Sequence, residues 1–280
     1  MTAVAEQTDR YDFRKVAGTL GFAGISASGA NIVMQLAMPG VGHGVARSTV
    51  KSGQLFEHPF KRARTTFTYL AVALLGTEDE QNAYREAVNG AHRPVHSEPG
   101  AEVKYNAFDP ALQLWVAACI YRGLEDNMRW LDPTTFERDR EAMYQSSGVI
   151  GSALQMKPEM WPADIEAFDA YWDETVRTQL HIDELVHDYL HEFLHLRFFP
   201  WPVPQVLGRY HRWVSTGWLA PEFRELMGLT WTERDQKRWT FIHRWVRRIN
   251  ALQPKFIRRL GFTIYLHDFR LRRRFGLRLV

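Results

Sequence analysis

The chain has 280 residues, 45% hydrophobic, 13% aromatic and 24% charged, a composition that excludes an intrinsically disordered, collagen-like or disulfide-scaffold protein. No Ser/Gly/Pro linker divides it, so one large domain or two intimately packed lobes is expected, and the lone Cys119 cannot form an intrachain disulfide, which suits a reducing compartment. The formal net charge of +3 conceals an asymmetry: residues 236–280 hold thirteen Lys/Arg against the single acid Asp268, a local +12, and the rest of the chain carries −9.

The start, Met1 to Lys15, is polar and lacks the basic-then-apolar pattern of a cleavable secretion signal, so a cytoplasmic setting is expected. Val16 to Val45 contains no Asp, Glu, Lys or Arg and is long enough to cross a bilayer. Gly18, Gly21, Gly24, Gly29, Asn31, Gln35 and Pro39 interrupt it, so a buried, closely packed helix pair is preferred over a membrane span. Apolar residues then recur at three- and four-residue intervals, and the chain reads as all-α. Helices are predicted near 14–37, 40–52, 58–75, 78–91, 110–131, 134–147, 162–178, 182–198, 203–218 and 233–251. Their starts are marked by Thr77 with Glu80, Asp109-Pro110, Asp132-Pro133, and Thr232 with Asp235. Breakers cluster in His92 to Asn106 and in the proline-rich Phe198 to Pro204.

Two constellations could carry chemistry. His191-Glu192-Phe193-Leu194-His195 has the spacing with which a helix offers two imidazoles to one zinc and a glutamate as general base, and His187 extends the row. A catalytic zinc needs a third protein ligand, but Arg197-Phe198-Phe199-Pro200 follows. The polar face of a surface helix is therefore preferred, and a zinc-dependent hydrolase is kept as a third functional reading. In the second constellation, Arg62, Thr65 and Thr66 fall at i, i+3 and i+4 on one face of a helix mixed with apolar side chains. Farther on, His92 ends a helix just before Arg93-Pro94, where an imidazole can turn into a pocket.

Several segments in order resemble a known family. They are Gln35-Leu36-Ala37-Met38-Pro39-Gly40-Val41, Gly44-Val45-Ala46, the Arg62/Thr66/Tyr69-Leu70 helix, the His92 segment, Asp109-Pro110-Ala111-Leu112 with Leu114-Trp115-Val116, and Trp218 to Leu226 with Leu229-Thr230-Trp231. This succession, over residues 16–260, is similar to the catalytic domain of the MpaB-type oxygenases and latex-clearing rubber oxygenases. The resemblance implies an all-α, partly globin-like bundle that holds haem b through a proximal histidine, matched by His92. It also implies a pocket arginine and threonine, matched by Arg62 and Thr66. Thr65 stands where one family branch has a lysine able to close off the iron. The implied activity is a haem-dependent oxidoreductase, an oxygenase acting with O2 on an apolar, isoprenoid or lipid-like substrate, with Arg62, Thr65 and Thr66 as its catalytic residues.

The chain departs from the family pattern at Met38 and Ala117, where many relatives have histidine, and at Arg47, where they often have an acid. These departures bear on oxygen chemistry more than on haem binding, and they define the alternative reading, a haem-binding or sensor protein without turnover. The remaining features have plainer expectations. The ten tryptophans fall at helical spacings suited to the core. The basic end, a tail over residues 261–280 behind a catalytic domain at 16–260, suits an anionic membrane surface or packing on the acidic half. No nucleic-acid reader motif accompanies the charge.

Overall fold

In the computed structural model, residues 11–21, 23–48, 50, 54–153 and 156–280 are described, and they form a single all-α domain. Expectations for residues 1–10 lie outside the described residues; the helix predicted at 40–52 stops at Ala46, where Arg47 caps it, and residues 49 and 51–53 lie outside the description.

The charge-free segment divides into α1 (Arg14–Leu20), a 3-10 turn (Ala23–Ala27), α2 (Ser28–Leu36) and α3 (Pro39–Ala46) rather than the long helix predicted at 14–37. The break is at Gly21, whose φ of 51° lies in the left-handed region that favours glycine. Any Cβ there would come within 2.8 Å of Asn250 Oδ1. The helices on either side of the break meet at 82°, and no single helix among the described residues is long and apolar enough to cross a membrane. Gly29 lets α2 approach so closely that a Cβ would stand 2.1 Å from Ser215 Oγ.

The following helices are α4 (Pro59–Leu75), α5 (Glu78–His92), α6 (Pro110–Leu131), α7 (Pro133–Ser147), the single turn α8 (Val149–Ser152), α9 (Ile165–Thr178) and α10 (Glu184–Leu194). Helix α10 stops short of the predicted 198 because Leu196 takes φ of 55°. A π turn at Pro204–Gly208 leads into α11 (Arg209–Trp218). Besides the single turn α8, two helices were not predicted: α12 (Pro221–Leu226), opened by a first-turn proline, and α14 (Lys255–Arg274), which follows α13 (Glu233–Leu252) after Pro254 and crosses the expected domain boundary at 260.

Helix α6 is the axle. Asp109 caps it, accepting from the Ala111 and Leu112 amides at 2.8 and 3.4 Å, and Pro110 occupies the first turn. One face, Leu114, Ala117, Ala118, Tyr121, Leu124 and Met128, packs with residues of α1, α7 and α9. The opposite stripe, Trp115 and Cys119 four residues apart, packs with α2, α10 and the chain around α12. Trp115 donates its indole N–H to the Met34 carbonyl at 3.2 Å. The Asp-Pro-x-Leu-x-x-Trp-Val segment is thus a helix start with its anchor. A third cluster joins α4, α5 and α14 through Ala71, Val72, Tyr84, Val88, Leu266 and Phe269.

The tryptophans divide. Trp115 and Trp239 are buried, whereas Trp201, 81% exposed, and Trp245 face solvent, which corrects the expectation of core positions for those two.

Candidate functional site

The site is built where the start of α4 meets the end of α5. Arg62 lies in the first turn of α4, its amide bonded to the His58 carbonyl at 2.9 Å. Thr65 and Thr66 one turn later both donate their hydroxyls back to the Arg62 carbonyl, at 2.9 and 3.0 Å, so both hydroxyl protons are engaged and only lone pairs are left free. Thr65 is buried and Thr66 exposed. Tyr84 of α5 donates to the Thr65 carbonyl at 2.7 Å and fixes the two helices to one another. Burial holds the Tyr84 phenol well above its ordinary range.

Helix α5 begins with a complete capping box, Thr77 with Glu80, and its last residue is His92. Pro94 stops the helix, and the loop behind it is pinned by Val95 N–H to the His92 carbonyl at 2.8 Å and Ala107 N–H to the Val95 carbonyl at 2.9 Å. The half-buried imidazole has its Nδ1 buried and without a hydrogen-bond partner. One turn earlier Asn89 Oδ1 is likewise buried and unpartnered. Burial first, and the Arg62 guanidinium second, pull the His92 pKa down to about 4. A helix C-terminus favours the imidazolium by roughly 0.3–1 kcal/mol. The downward shift corresponds to roughly 3 kcal/mol, so desolvation wins and the ring is neutral at pH 7.

A third element, missed in the sequence, is Tyr189 of α10. Burial pushes its phenol up to about 12, and Arg62 is close enough to oppose that shift. Its ring stacks on Phe56 at 4.5 Å, Phe56 on Phe198 at 5.4 Å, Phe198 lies 4.6 Å from Phe199, and Phe199 reaches Phe60 at 5.7 Å. This aromatic ladder borders the start of α4, and its Phe56–Tyr189 end packs against the cluster containing Met38, Val41 and Val45. The only signal in the sequence was Tyr189 within His187 to His195, where the histidines drew attention to the other side of the helix.

Those histidines do not form a metal centre. Among the described residues no group of three His, Cys, Asp or Glu side chains is placed to hold a metal ion. Helix α10 ends at Leu194, so His195 falls outside it and gives its Nδ1 proton to the His191 carbonyl at 2.9 Å. Glu192 is engaged by Arg197 at 2.9 Å. The row instead lines an open cleft of about 320 Å³ with Arg212 and Met227.

At the departures noted in the sequence, Ala117 and Met38 are enclosed in the core, and Arg47 closes the C-terminal end of α3. A half-buried pair unforeseen in the sequence joins α3 to α10: His43 Nε2 lies 2.6 Å from Asp183, which also caps α10 through the Val186 amide at 3.0 Å. Burial works against ionising Asp183, but the amide and the imidazole outweigh it and hold its pKa below the ordinary carboxylate value.

The chain is 45% identical over 251 residues to an uncharacterized protein of Mycobacterium bovis and to one of Mycobacterium tuberculosis, each alignment covering 90% of this chain and 98% of the relative. No solved structure matches it. The model of the catalytic domain of the ER-bound oxygenase mpaB/B′ and rubber oxygenase family matches residues 14–248. With its capped α6 axle and its α4–α5 corner inside that span, the chain belongs to this oxygenase family.

Proposed function

We propose that the chain is a haem-b-dependent oxygenase of an apolar, isoprenoid or lipid-like substrate, with His92 as the residue that would hold the iron. The observation that carries this reading is the His92 ring itself: half-buried, neutral at pH 7, and with a buried ring nitrogen to which the protein gives no partner. A neutral imidazole is the form that ligates iron, and an unpartnered ring nitrogen leaves it free to do so. Arg62 beside it has no acidic partner among the described residues and supplies the positive charge that a propionate or a developing anion requires. The residues present therefore fit the group.

Haem b, when bound, supplies the redox chemistry with O2; the polypeptide supplies position, electrostatics and exclusion of water. His92 holds its lone pair available over the whole neutral range. Arg62 fixes charge beside that ring. The Tyr189 phenol stays protonated at neutral pH and can donate a hydrogen bond. Thr65 and Thr66 offer acceptor lone pairs as placed, and become donors only by turning away from the Arg62 carbonyl. The ladder from Tyr189 to Phe60 offers an apolar carbon chain an aromatic surface that opens to solvent at Phe60.

A second reading, a haem-binding or sensor protein without turnover, is favoured by the engagement of both threonine hydroxyls and by Arg47 in place of an acid. An oxygen electrode separates the two. The purified haem-loaded chain given isoprenoid and unsaturated lipid chains is expected to consume O2, with at least a tenfold loss in Arg62→Ala, about 1.4 kcal/mol of stabilisation. A haem spectrum with no substrate-dependent uptake would select the sensor; stoichiometric zinc and no iron would overturn both.

A further inference from the structure

Helices α13 and α14 each carry two apolar faces, and only one of each is covered. On α13, Trp239, His243 and Asn250 are buried toward the body of the protein. Phe241, Trp245, Ile249 and Leu252, spaced by four, four and three residues, form a separate stripe that is exposed along its whole length. On α14, Leu266 and Phe269 pack into the cluster with α4 and α5, and Phe256, Leu260, Ile264 and Leu271 form a second exposed stripe at helical spacing. The stripes meet across Pro254, where Leu252 is 84% and Phe256 70% exposed. A polar-rimmed apolar surface of this length has no role in folding and marks a contact site.

The charge beside it selects the partner. Arg244, Arg247 and Arg248 line an open cleft of about 470 Å³ on α13, and none has an acidic side chain within ion-pair distance among the described residues. Arg248 lies over the Trp245 ring at 5.1 Å. By contrast, the cations on the covered side are neutralised within the fold: Arg270 by Glu80 at 2.6 Å, Arg273 by Asp79 at 2.6 Å, and Arg272 by Asp268 at 2.7 Å. One face of the basic end is thus packed on acidic residues, and the other is open, cationic and apolar together.

We propose that the exposed face of α13 and α14 is a docking surface for an anionic lipid bilayer. Phe241, Trp245, Ile249, Leu252 and Phe256 enter the interface between headgroups and acyl chains, while Arg244, Arg247 and Arg248 hold lipid phosphates. A lipid surface accounts for both parts of the pattern: its acyl boundary takes the apolar stripe and its phosphates take the guanidinium row. A nucleic acid would leave the aliphatic stripe in water.

Cosedimentation of the full chain with vesicles tests this. Binding to phosphatidylcholine containing about one third phosphatidylglycerol is expected, weakening as salt is raised, with far weaker binding to phosphatidylcholine alone. Replacing Arg244 and Arg248 by Ala together is expected to weaken binding to the anionic vesicles about thirtyfold. Trp245→Ser with Ile249→Ser is expected to lower binding to both kinds of vesicle by roughly tenfold or more. These side chains are exposed, so unchanged far-ultraviolet dichroism is expected for both variants. The proposal fails if the anionic vesicles leave the protein in the supernatant, or if both double variants bind as the parent does. It also fails if a single-stranded oligonucleotide displaces the vesicles at equal phosphate concentration, or if the stripe is covered in solution by a dimer that Trp245→Ser dissociates.

Discussion

Around α6 and at the α4–α5 corner the protein buries ionisable groups in opposite ways. Beside α6, Glu125 is 0% exposed and its carboxylate is met by Arg122 at 2.6 Å, Arg140 at 3.0 Å and Arg129 at 3.4 Å, while Arg122 also holds Asp169 at 2.6 Å. The circle of charges is closed by the chain itself, as a buried ion must be if it is not to cost several kcal/mol. At the α4–α5 corner the half-buried imidazole of His92 has an unpartnered Nδ1 and the neighbouring guanidinium of Arg62 has no acid. The Glu125 carboxylate is answered by cations of the fold, whereas at the corner the Arg62 guanidinium meets no acid; unpartnered buried atoms occur on both sides, since Tyr121 Oη, Arg122 Nε and Asn127 Oδ1 of α6 also lack partners, so the difference lies in the charges.

Substitutions can break this comparison, beginning with the largest effect. Glu125→Ala removes the carboxylate shared by Arg122, Arg129 and Arg140, leaving Asp169 as the remaining acid for Arg122, and is expected to lower stability by about 3–5 kcal/mol in urea denaturation, with any haem absorbance of the folded protein unchanged. Next comes pH. Because the folded His92 pKa is about 4 and the unfolded value is 6.5, the unfolded chain binds more protons between these limits, so stability contributed by the neutral ring is full above pH 6.5 and lost as pH falls toward 4. The haem-free parent is expected to lose up to roughly 3 kcal/mol more than His92→Phe across that window. Equal pH profiles for the two proteins would show that the ring is solvated.

Smaller effects test the supports. Tyr84→Phe removes the bond to the Thr65 carbonyl and is expected to cost about 1 kcal/mol, read from the thermal midpoint. Glu192→Gln removes only a surface ion pair with Arg197, so a change within about 0.5 kcal/mol and no change in metal content are expected.

Local signals that dominate their own stretch of chain were legible in the sequence. The capping box at Thr77, the Asp109-Pro110 and Asp132-Pro133 starts and the Thr232 box each open a helix at the expected residue. The charge-free stretch reads correctly as packed helices, but its break at Gly21 depends on the approach of Asn250 from the far end of the chain, which no local pattern encodes. Helix α14 escaped prediction because its apolar residues face two ways, and a helix with two faces loses the single stripe that periodicity detects. At the site, Arg62 and His92 are adjacent as the resemblance implies, but Tyr189, Phe56 and the His43–Asp183 pair are brought in by tertiary packing across long separations. The His191-Glu192-x-x-His195 spacing does bring the His191 and His195 rings to 4.2 Å, but among the described residues no third ligand joins them and Glu192 is engaged by Arg197.

The most direct measurement is the ultraviolet–visible spectrum of the purified full-length chain, oxidised and after dithionite, beside that of His92→Ala at equal protein concentration. The account predicts a Soret band that shifts on reduction in the parent, and its loss in the variant together with the iron, with the dichroism of the helices unchanged. A Soret band and iron content that survive the substitution would contradict it, as would a parent protein that takes up no haem at all.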